Sequence, residues 1–207
     1  HMDTLDHLQE QKAETQDQIS KSENRIAVLE EKAARLEATN AMLQDLMDSG
    51  KLPGAVSAII RANETKINAI HENRIPKIEN SIKKAENKIS KLDDRIAVFR
   101  LKAEKLRSFS NVIQSFMIPN PQKRRELFKE SMENLRNSSK GLLCISMNAE
   151  KSKLSKLFEQ YEKSDSMAEK FKLGQKIEAV KSSISAVEAK IHKLENAPEM
   201  ENANDHI

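Results

Sequence analysis

Apolar residues in the first fifty positions recur at alternating spacings of three and four. Stepping in this way from Leu5 to Met47 reaches thirteen positions, of which nine are apolar. This is the heptad pattern of an amphipathic helix with one apolar seam. It predicts a helix from about Asp3 to Met47. The Ser-Gly-Lys-Leu-Pro-Gly sequence at 49–54 ends it, because glycine adopts positive φ and proline cannot continue a helix.

A second seam of the same kind runs from Ile75 to Met117, where twelve of thirteen stepped positions are apolar. A helix that starts near Ala55 leads into it, but Pro76 interrupts the pattern. Proline lacks a backbone donor and crowds the preceding turn, and the apolar seam also shifts by one residue at this point. The sequence therefore predicts a kink at Pro76.

The two seams belong to an internal repeat. Residues 19–36 recur as residues 89–106, seventy positions later, and seventy is a whole number of heptads. We call residues 5–47 repeat A and residues 75–117 repeat B. The pattern predicts a duplicated module of a long helix, a proline turn and a short helix. The predicted fold is an all-α, elongated antiparallel coiled coil or helical bundle, with a long hairpin over residues 3–118.

Residues 119–196 are predicted to form further helices that pack on the end of the second long helix. A short helix over 122–137, a Ser-Ser-Lys-Gly loop at 138–141 and a helix over 148–163 are expected first. Ser166 and Glu169 have capping-box spacing, which marks either a new helix or a charged turn within a continuous one. Residues 197–207 lack periodicity and are predicted to be a disordered tail.

Aromatic residues cluster in the second half of the chain. Five of the six Phe and the single Tyr lie between Phe99 and Tyr161. Because aromatic side chains bury large areas, this clustering predicts a multi-helix core where the C-terminal helices meet.

Composition narrows the class of protein. Charged residues make up 32% of the chain, and it has four Gly and no Trp, which suits helices that bury one stripe and solvate the rest. The single cysteine, Cys144, excludes an intramolecular disulfide. No apolar run reaches the length of a membrane span and no signal peptide is evident, so the sequence predicts a cytoplasmic protein without membrane contact.

Charge is partitioned between the repeats. Residues 1–50 hold five Lys or Arg and eleven Asp or Glu, whereas residues 74–107 hold eleven Lys or Arg and five Asp or Glu. These charges either pair with each other within the molecule, as we expect, or face outward, where the bases would contact phosphates and the acids would mimic nucleic acid. The candidate basic partner-binding face consists of Lys83, Lys84, Lys88, Lys91, Arg95, Lys123, Arg124 and Arg125.

No pattern in the sequence indicates catalysis. His71-Glu72 lacks the second histidine of a zinc-protease helix, no glycine-rich phosphate loop is present, and the carboxylates fall on exposed helical faces. We therefore expect no catalytic, metal or cofactor site. Asn40 and Ser110 occupy the same seam position in the two repeats. Such polar residues either fix register or oligomeric state, or reach solvent near the proline turns.

The Gly-Lys-Leu-Pro-Gly-Ala-Val-Ser-Ala-Ile-Ile turn, the Ile-Pro-Lys-Ile-Glu-Asn break and the surrounding heptads resemble coiled-coil proteins carried on phages and conjugative elements of Gram-positive bacteria. The resemblance covers residues 19–118 and assigns no site residues. It implies an accessory role in element transfer, or in blocking host defence by occupying a nuclease or its guide complex.

These observations favour a non-enzymatic scaffolding protein that binds a macromolecular partner through a helical surface. A protein partner is the leading expectation, and a homodimer is an open alternative. The second hypothesis is a nucleic-acid-associated or defence-blocking protein of a mobile element, which would use the basic face of residues 75–107 or the acidic first helix.

Overall fold

The computed structural model describes residues 2–196, with side chains from Thr4 onward, and every regular element in this range is helical. The predicted all-α class is confirmed. The predicted disordered tail at 197–207 lies outside the described residues. The five long helices are α1 (Met2–Asp48), α2 (Ser57–Ala69), α3 (Ile75–Ser115), α4 (Pro121–Lys163) and α5 (Met167–Glu195), with a 3₁₀ turn at Gly54–Val56 and a π-helical turn at Ile70–Arg74.

Helix α1 ends as its glycine predicts. Gly50 has a φ of 75° and is the single positive-φ residue of the described chain. Its backbone N–H donates to Met47 O at 3.0 Å, and Lys51 N–H donates to Leu46 O at 2.8 Å. This is the Schellman arrangement, which satisfies carbonyls that the helix end would otherwise leave without partners.

The π-helical turn joins α2 to α3 directly before Pro76. Ile70–Arg74 forms the turn, and Pro76 is then the second residue of α3. A π turn inserts one extra residue into the helical hydrogen-bond ladder. This insertion accounts for the one-residue shift of the apolar seam that the sequence shows beside Arg74.

The chain divides into two units, His1–Arg95 and Ile96–Ile207. In the first unit, α1 runs antiparallel to α2, the π turn and the first part of α3. Its core consists of buried aliphatic side chains from both arms of this hairpin: Leu29, Ala33, Ile70, Ile75 and Ile78, with Ile26 and Ile82 packed against them.

In the second unit, α5 folds back on α4 around a second aliphatic core. This core contains Leu157, Leu173, Ile177, Val180 and Ile184, with Met147 and Leu154 beside them. Ser166 Oγ accepts a hydrogen bond from Glu169 N–H at 3.4 Å, and Ser164 Oγ donates to Glu169 Oε2 at 3.0 Å. Ser166 therefore caps a new helix, which confirms one of the two alternatives for this position.

Helix α4 corrects the prediction of a short helix, a loop and another helix. It is continuous over 43 residues and passes straight through the expected loop at 138–141. Ser138 Oγ donates to Asn134 O at 2.8 Å, so its hydroxyl is satisfied within the helix. A Cβ placed on Gly141 would lie 3.1 Å from Leu101 Cδ1, so this glycine allows α3 and α4 to approach closely. The small residues serve packing here, whereas the sequence pattern resembled a loop.

The predicted aromatic core is wrong. Of the aromatic residues, Phe128 is buried and Phe99 is half-buried, whereas Phe109, Phe116, Phe158, Phe171 and Tyr161 are exposed. The described buried core is built mostly from Leu, Ile and Val, and most of the aromatic side chains are exposed.

Candidate interaction surface

The seam of repeat A is covered along its whole length. All thirteen stepped positions from Leu5 to Met47 are buried or half-buried. Leu29 and Ala33 belong to the first unit's core. The side chain of Thr15 is almost fully buried, and its hydroxyl donates to Gln11 O at 2.8 Å. This polar seam position is therefore accommodated by a local hydrogen bond.

The seam of repeat B is covered only in part. Its first eight positions, from Ile75 to Phe99, are buried or half-buried, whereas its last five, from Ala103 to Met117, are exposed. The prediction of one continuous buried seam is therefore wrong beyond Phe99. The reason lies in which face of α3 is packed in the second unit.

In the second unit, α3 buries a different face from the predicted one. Ser108 and Ser115 are buried there, whereas the predicted seam positions Leu106 and Ile113 are exposed. At 100° per residue, the two serines lie about 160° around the helix from Leu106 and Ile113. The serines therefore mark a second face of α3, and this face is the one buried in the second unit.

Helix α4 covers this second face of α3. Leu101 meets Gly141 at one end of the contact, and the rings of Phe116 and Phe128 meet edge to face, 5.9 Å apart, at the other. These contacts make the two helices antiparallel. Within the paired segment, Ser108 and Ser115 of α3 and Ser131 and Ser138 of α4 are all buried. Packing through small residues explains why the larger apolar side chains of α3 stay outside.

The uncovered apolar residues at the end of α3 and in the two positions after it form what we call the α3 stripe. Its exposed fractions are Leu106 69%, Phe109 55%, Ile113 53%, Phe116 55% and Met117 81%. The first four have heptad spacing. Leu106, Phe109 and Ile113 fall within an arc of about 60° around α3, and Phe116 and Met117 follow them in the turn after Ser115. Monomeric proteins seldom leave a contiguous apolar patch of this kind uncovered without a function for it.

The sequence carries a signal for the stripe that periodicity alone did not reveal. Residues 108–122 contain no charged side chain, the longest such run in a chain that is 32% charged. An exposed helical face normally carries charges on its solvent side. A stripe without charge within a highly charged chain is therefore typical of a surface meant for contact.

A groove of about 390 Å³ lies beside the α3 stripe. It is lined by Leu106 and Phe109 of α3, by Leu135 and Leu142 of α4, and by Lys102 and Lys105. Four of its six lining residues are therefore apolar and two are cationic. An apolar side chain of a bound partner would find contacts from two helices here.

The predicted basic face is divided between the two units. Lys83, Lys84, Lys88, Lys91 and Arg95 are exposed on α3 within the first unit, whereas the cluster at 123–125 occupies the first turn of α4 in the second. In that turn, Lys123 and Arg125 are exposed and Arg124 is half-buried.

Direct pairing between the acidic and basic segments is scarce. Among the side chains of residues 4–196, no carboxylate lies within 4.0 Å of the lysines at 83, 84, 88 and 91 or of Arg95. Lys12 of α1 and Asp93 of α3 form an ion pair at 2.7 Å, with the base on the acidic helix and the acid on the basic one. The carboxylates of α1 from Asp6 to Asp48 are exposed. The expectation that these charges mainly pair with each other is therefore not met at contact distance.

Asn40 and Ser110 differ in role despite their equivalent positions. Asn40 Nδ2 donates to Ile60 O at 3.1 Å, and Asn63 Nδ2 donates to Asn40 Oδ1 at 2.9 Å. Asn63 is buried, so this network fixes the alignment of α1 on α2. Ser110 is exposed. The register hypothesis thus fits Asn40, and the solvent alternative fits Ser110.

Other surface features carry less weight. A cavity of about 460 Å³ in the first unit is lined by Val28, Leu29 and Ile78 and by three cationic side chains. A shallow apolar groove at the α4–α5 turn exposes Met167 and Phe171.

Among the described residues, no group of three or more His, Cys, Asp or Glu is placed to hold a metal ion. No helix in the described range is long and apolar enough to cross a membrane.

Comparison with known proteins gives no relative: no family model, no curated protein and no solved structure matches the chain.

Proposed function

We propose that the protein is a non-enzymatic binding or scaffolding protein, and that it contacts another protein chain through the α3 stripe. The observation that carries this proposal is the stripe itself: five large apolar side chains, each more than half exposed, four of which lie in an uncharged run of the sequence. Its heptad spacing suits a helical partner, whose apolar residues would pack between those of α3.

Energetic reasoning supports this assignment. Covering apolar surface contributes roughly 25 cal/mol per Å² removed from water. The two phenylalanines of the stripe offer large, rigid contact areas, and such residues are enriched at the centres of protein interfaces. The neighbouring groove between α3 and α4 adds a recess for a partner side chain.

Affinity capture from an extract of the native host tests the proposal. The bait proteins are the wild type, a stripe variant with Phe109→Lys and Ile113→Lys, and the control Met42→Lys. Met42 is 56% exposed, close to the value for Phe109, but lies on α1. We expect the wild type and the control to recover the same protein and the stripe variant to recover at least about tenfold less, since buried anchor residues dominate interface energies.

Three results of this capture experiment would separate the hypotheses. Equal recovery by the stripe variant would reject the α3 stripe as the binding surface. Recovery of nucleic acid that depends on the basic residues would favour the second candidate function. Recovery of a nuclease or its guide complex would support the defence-blocking role that the resemblance to mobile-element proteins implies.

The second candidate is nucleic-acid association through the basic face of α3. The observation that favours it is the exposure of Lys83, Lys84, Lys88, Lys91 and Arg95 without a carboxylate in contact. Lys84, Lys88, Lys91 and Arg95 have 4-3-4 spacing and therefore share one side of the helix. Clustered cations of this kind bind phosphate backbones independently of sequence.

A titration against labelled duplex and single-stranded DNA and RNA tests this candidate. If the face binds phosphates, affinity should fall at least about tenfold between about 50 mM and about 200 mM salt. The quadruple reversal Lys83→Glu, Lys84→Glu, Lys88→Glu and Lys91→Glu should abolish it. Weak binding at low salt that these reversals leave unchanged would reject the candidate.

A further inference from the structure

We infer that the occupant of the α3 stripe is the same stripe on a second molecule of this chain, packed antiparallel. This inference rests on the proposed function, because it names the partner of that surface. The spacing from Leu106 through Phe109 and Ile113 to Phe116 is three, four, three, which is the same from either end. A helix face with symmetric spacing is complementary to itself when two copies run in opposite directions, as a twofold interface requires.

The antiparallel register follows from this spacing. Leu106 faces Phe116 of the second molecule, and Phe109 faces its Ile113, so each layer joins one aromatic and one aliphatic residue. Each pair occurs twice across the twofold axis. Large and medium side chains then alternate along the contact, and no two phenylalanines have to occupy the same layer.

Charge selects the antiparallel over the parallel arrangement. The uncharged run leaves the centre of the contact without ionic groups. In the antiparallel register, Lys102 and Lys105 of each molecule lie toward the uncharged turn at 116–120 that follows α3 in the other. A parallel pairing would place Lys102 and Lys105, which lie on the stripe side of α3, beside their own counterparts, and like charges brought together across an interface are repulsive.

The groove beside the stripe fits a side chain that this register supplies. Leu106, Phe109, Leu135 and Leu142 line it. Met117, the most exposed residue of the stripe, reaches the Leu106 end of the groove from the second molecule. Methionine is unbranched and flexible, and it fills irregular apolar recesses well.

The length of the stripe sets the strength of the association. From Leu106 to its end at Ser115, α3 advances about 14 Å, so the contact buries less area than a standard protein interface of about 800 Å² per partner. We therefore expect a reversible dimer with a dissociation constant on the order of 10 to 100 µM. A constant in this range makes the oligomeric state depend on concentration.

Sedimentation velocity over a concentration series of the purified chain tests the inference. The wild type should move from a 23.5 kDa monomer toward a species of twice that mass as concentration rises. Phe109→Lys should weaken the dimer at least about tenfold, because a charge then enters an apolar layer. Met42→Lys, an exposed position on α1, should leave it unchanged. Circular dichroism and melting temperature show that each variant is folded.

A charge exchange tests the register itself. The double variant combines Phe109→Lys with Ile113→Glu. In the antiparallel register, the introduced ammonium of each molecule meets the introduced carboxylate of the other, whereas a parallel register brings like charges together. We expect the double variant to dimerise at least about threefold more tightly than either single variant at low salt, and this gain to shrink as salt is raised.

The outcomes separate the inference from the proposed function. A chain that stays monomeric up to about 1 mM, a concentration far above the expected constant, overturns the inference. If the stripe variant still loses a captured host protein in that case, the proposed function stands with a different partner. A dimer that Phe109→Lys leaves intact, or a double variant that is weaker than both single variants, also overturns the antiparallel stripe contact.

Discussion

Repeats A and B carry the same apolar pattern but are covered to different extents. In repeat A every seam position is buried or half-buried, because α1 faces α2, the π turn and the first part of α3. In repeat B the last five seam positions are exposed, because α4 packs on another face of α3. The comparison shows that a heptad pattern marks a helix face that tends to be buried. Whether the same chain buries that face depends on how its other helices pack against it.

The largest expected effect contrasts a covered with an uncovered seam position. Leu29→Asp places a charge in the first unit's core, where Leu29 is 6% exposed, and should lower the free energy of unfolding by about 3–5 kcal/mol. Leu106→Asp should change it by less than about 0.5 kcal/mol, since Leu106 is exposed. Urea unfolding followed by circular dichroism, at concentrations below self-association, measures both.

Similar losses for Leu29→Asp and Leu106→Asp would mean that repeat B is covered within the monomer after all. A negligible effect of Leu29→Asp would show that the seam of repeat A is not part of a buried core. Either result would contradict the difference in burial between repeats A and B.

A smaller effect separates the polar seam positions. Asn40→Ala leaves the buried Asn63 amide without its acceptor and should cost about 1–3 kcal/mol. Ser110→Ala at the equivalent position should alter stability by less than about 0.5 kcal/mol, and in the stabilising direction, because alanine favours helix. Thermal and urea unfolding of the two variants provide the comparison. A loss at Ser110 equal to that at Asn40 would show that Ser110 too has a buried partner.

The smallest effect concerns the close contact that turns the stripe outward. Gly174→Ala has open space around its new Cβ and should stabilise the protein by about 0.5–1 kcal/mol. Gly141→Ala brings a Cβ to 3.1 Å from the Leu101 side chain and should be less stable than Gly174→Ala by about 1 kcal/mol. Differential scanning calorimetry resolves this difference. Equal stabilisation by both substitutions would contradict close packing of α3 on α4.

Much of the fold could be predicted from the sequence because local signals determined it. The heptad spacing predicts the extent of α1, and Gly50 and Pro53 predict the turn after it. Ser166 and Glu169 mark the start of α5. Each of these features depends on neighbours within a few residues, which a sequence displays directly.

The parts that were missed depend on contacts between distant residues. Ser138 and Gly141 resemble a loop in the sequence, but they allow α4 to approach α3 and are helical. The exposure of the repeat B seam beyond Phe99 follows from that approach, so periodicity cannot show it. For the same reason the heptad pattern predicts a buried α3 stripe, although the uncharged run at 108–122 is visible in the sequence.

The central claim is that the exposed end of repeat B is covered by another chain, and methionine oxidation tests it most directly. Met117 and Met167 are 81% and 85% exposed, so each reports on its own surface under identical conditions. With dilute peroxide and mass spectrometry, both should oxidise at similar rates in dilute purified protein. In concentrated protein or in the captured complex, Met117 should oxidise at least about fivefold more slowly while Met167 is unchanged. Oxidation of Met117 at the rate of Met167 under every condition would contradict the claim.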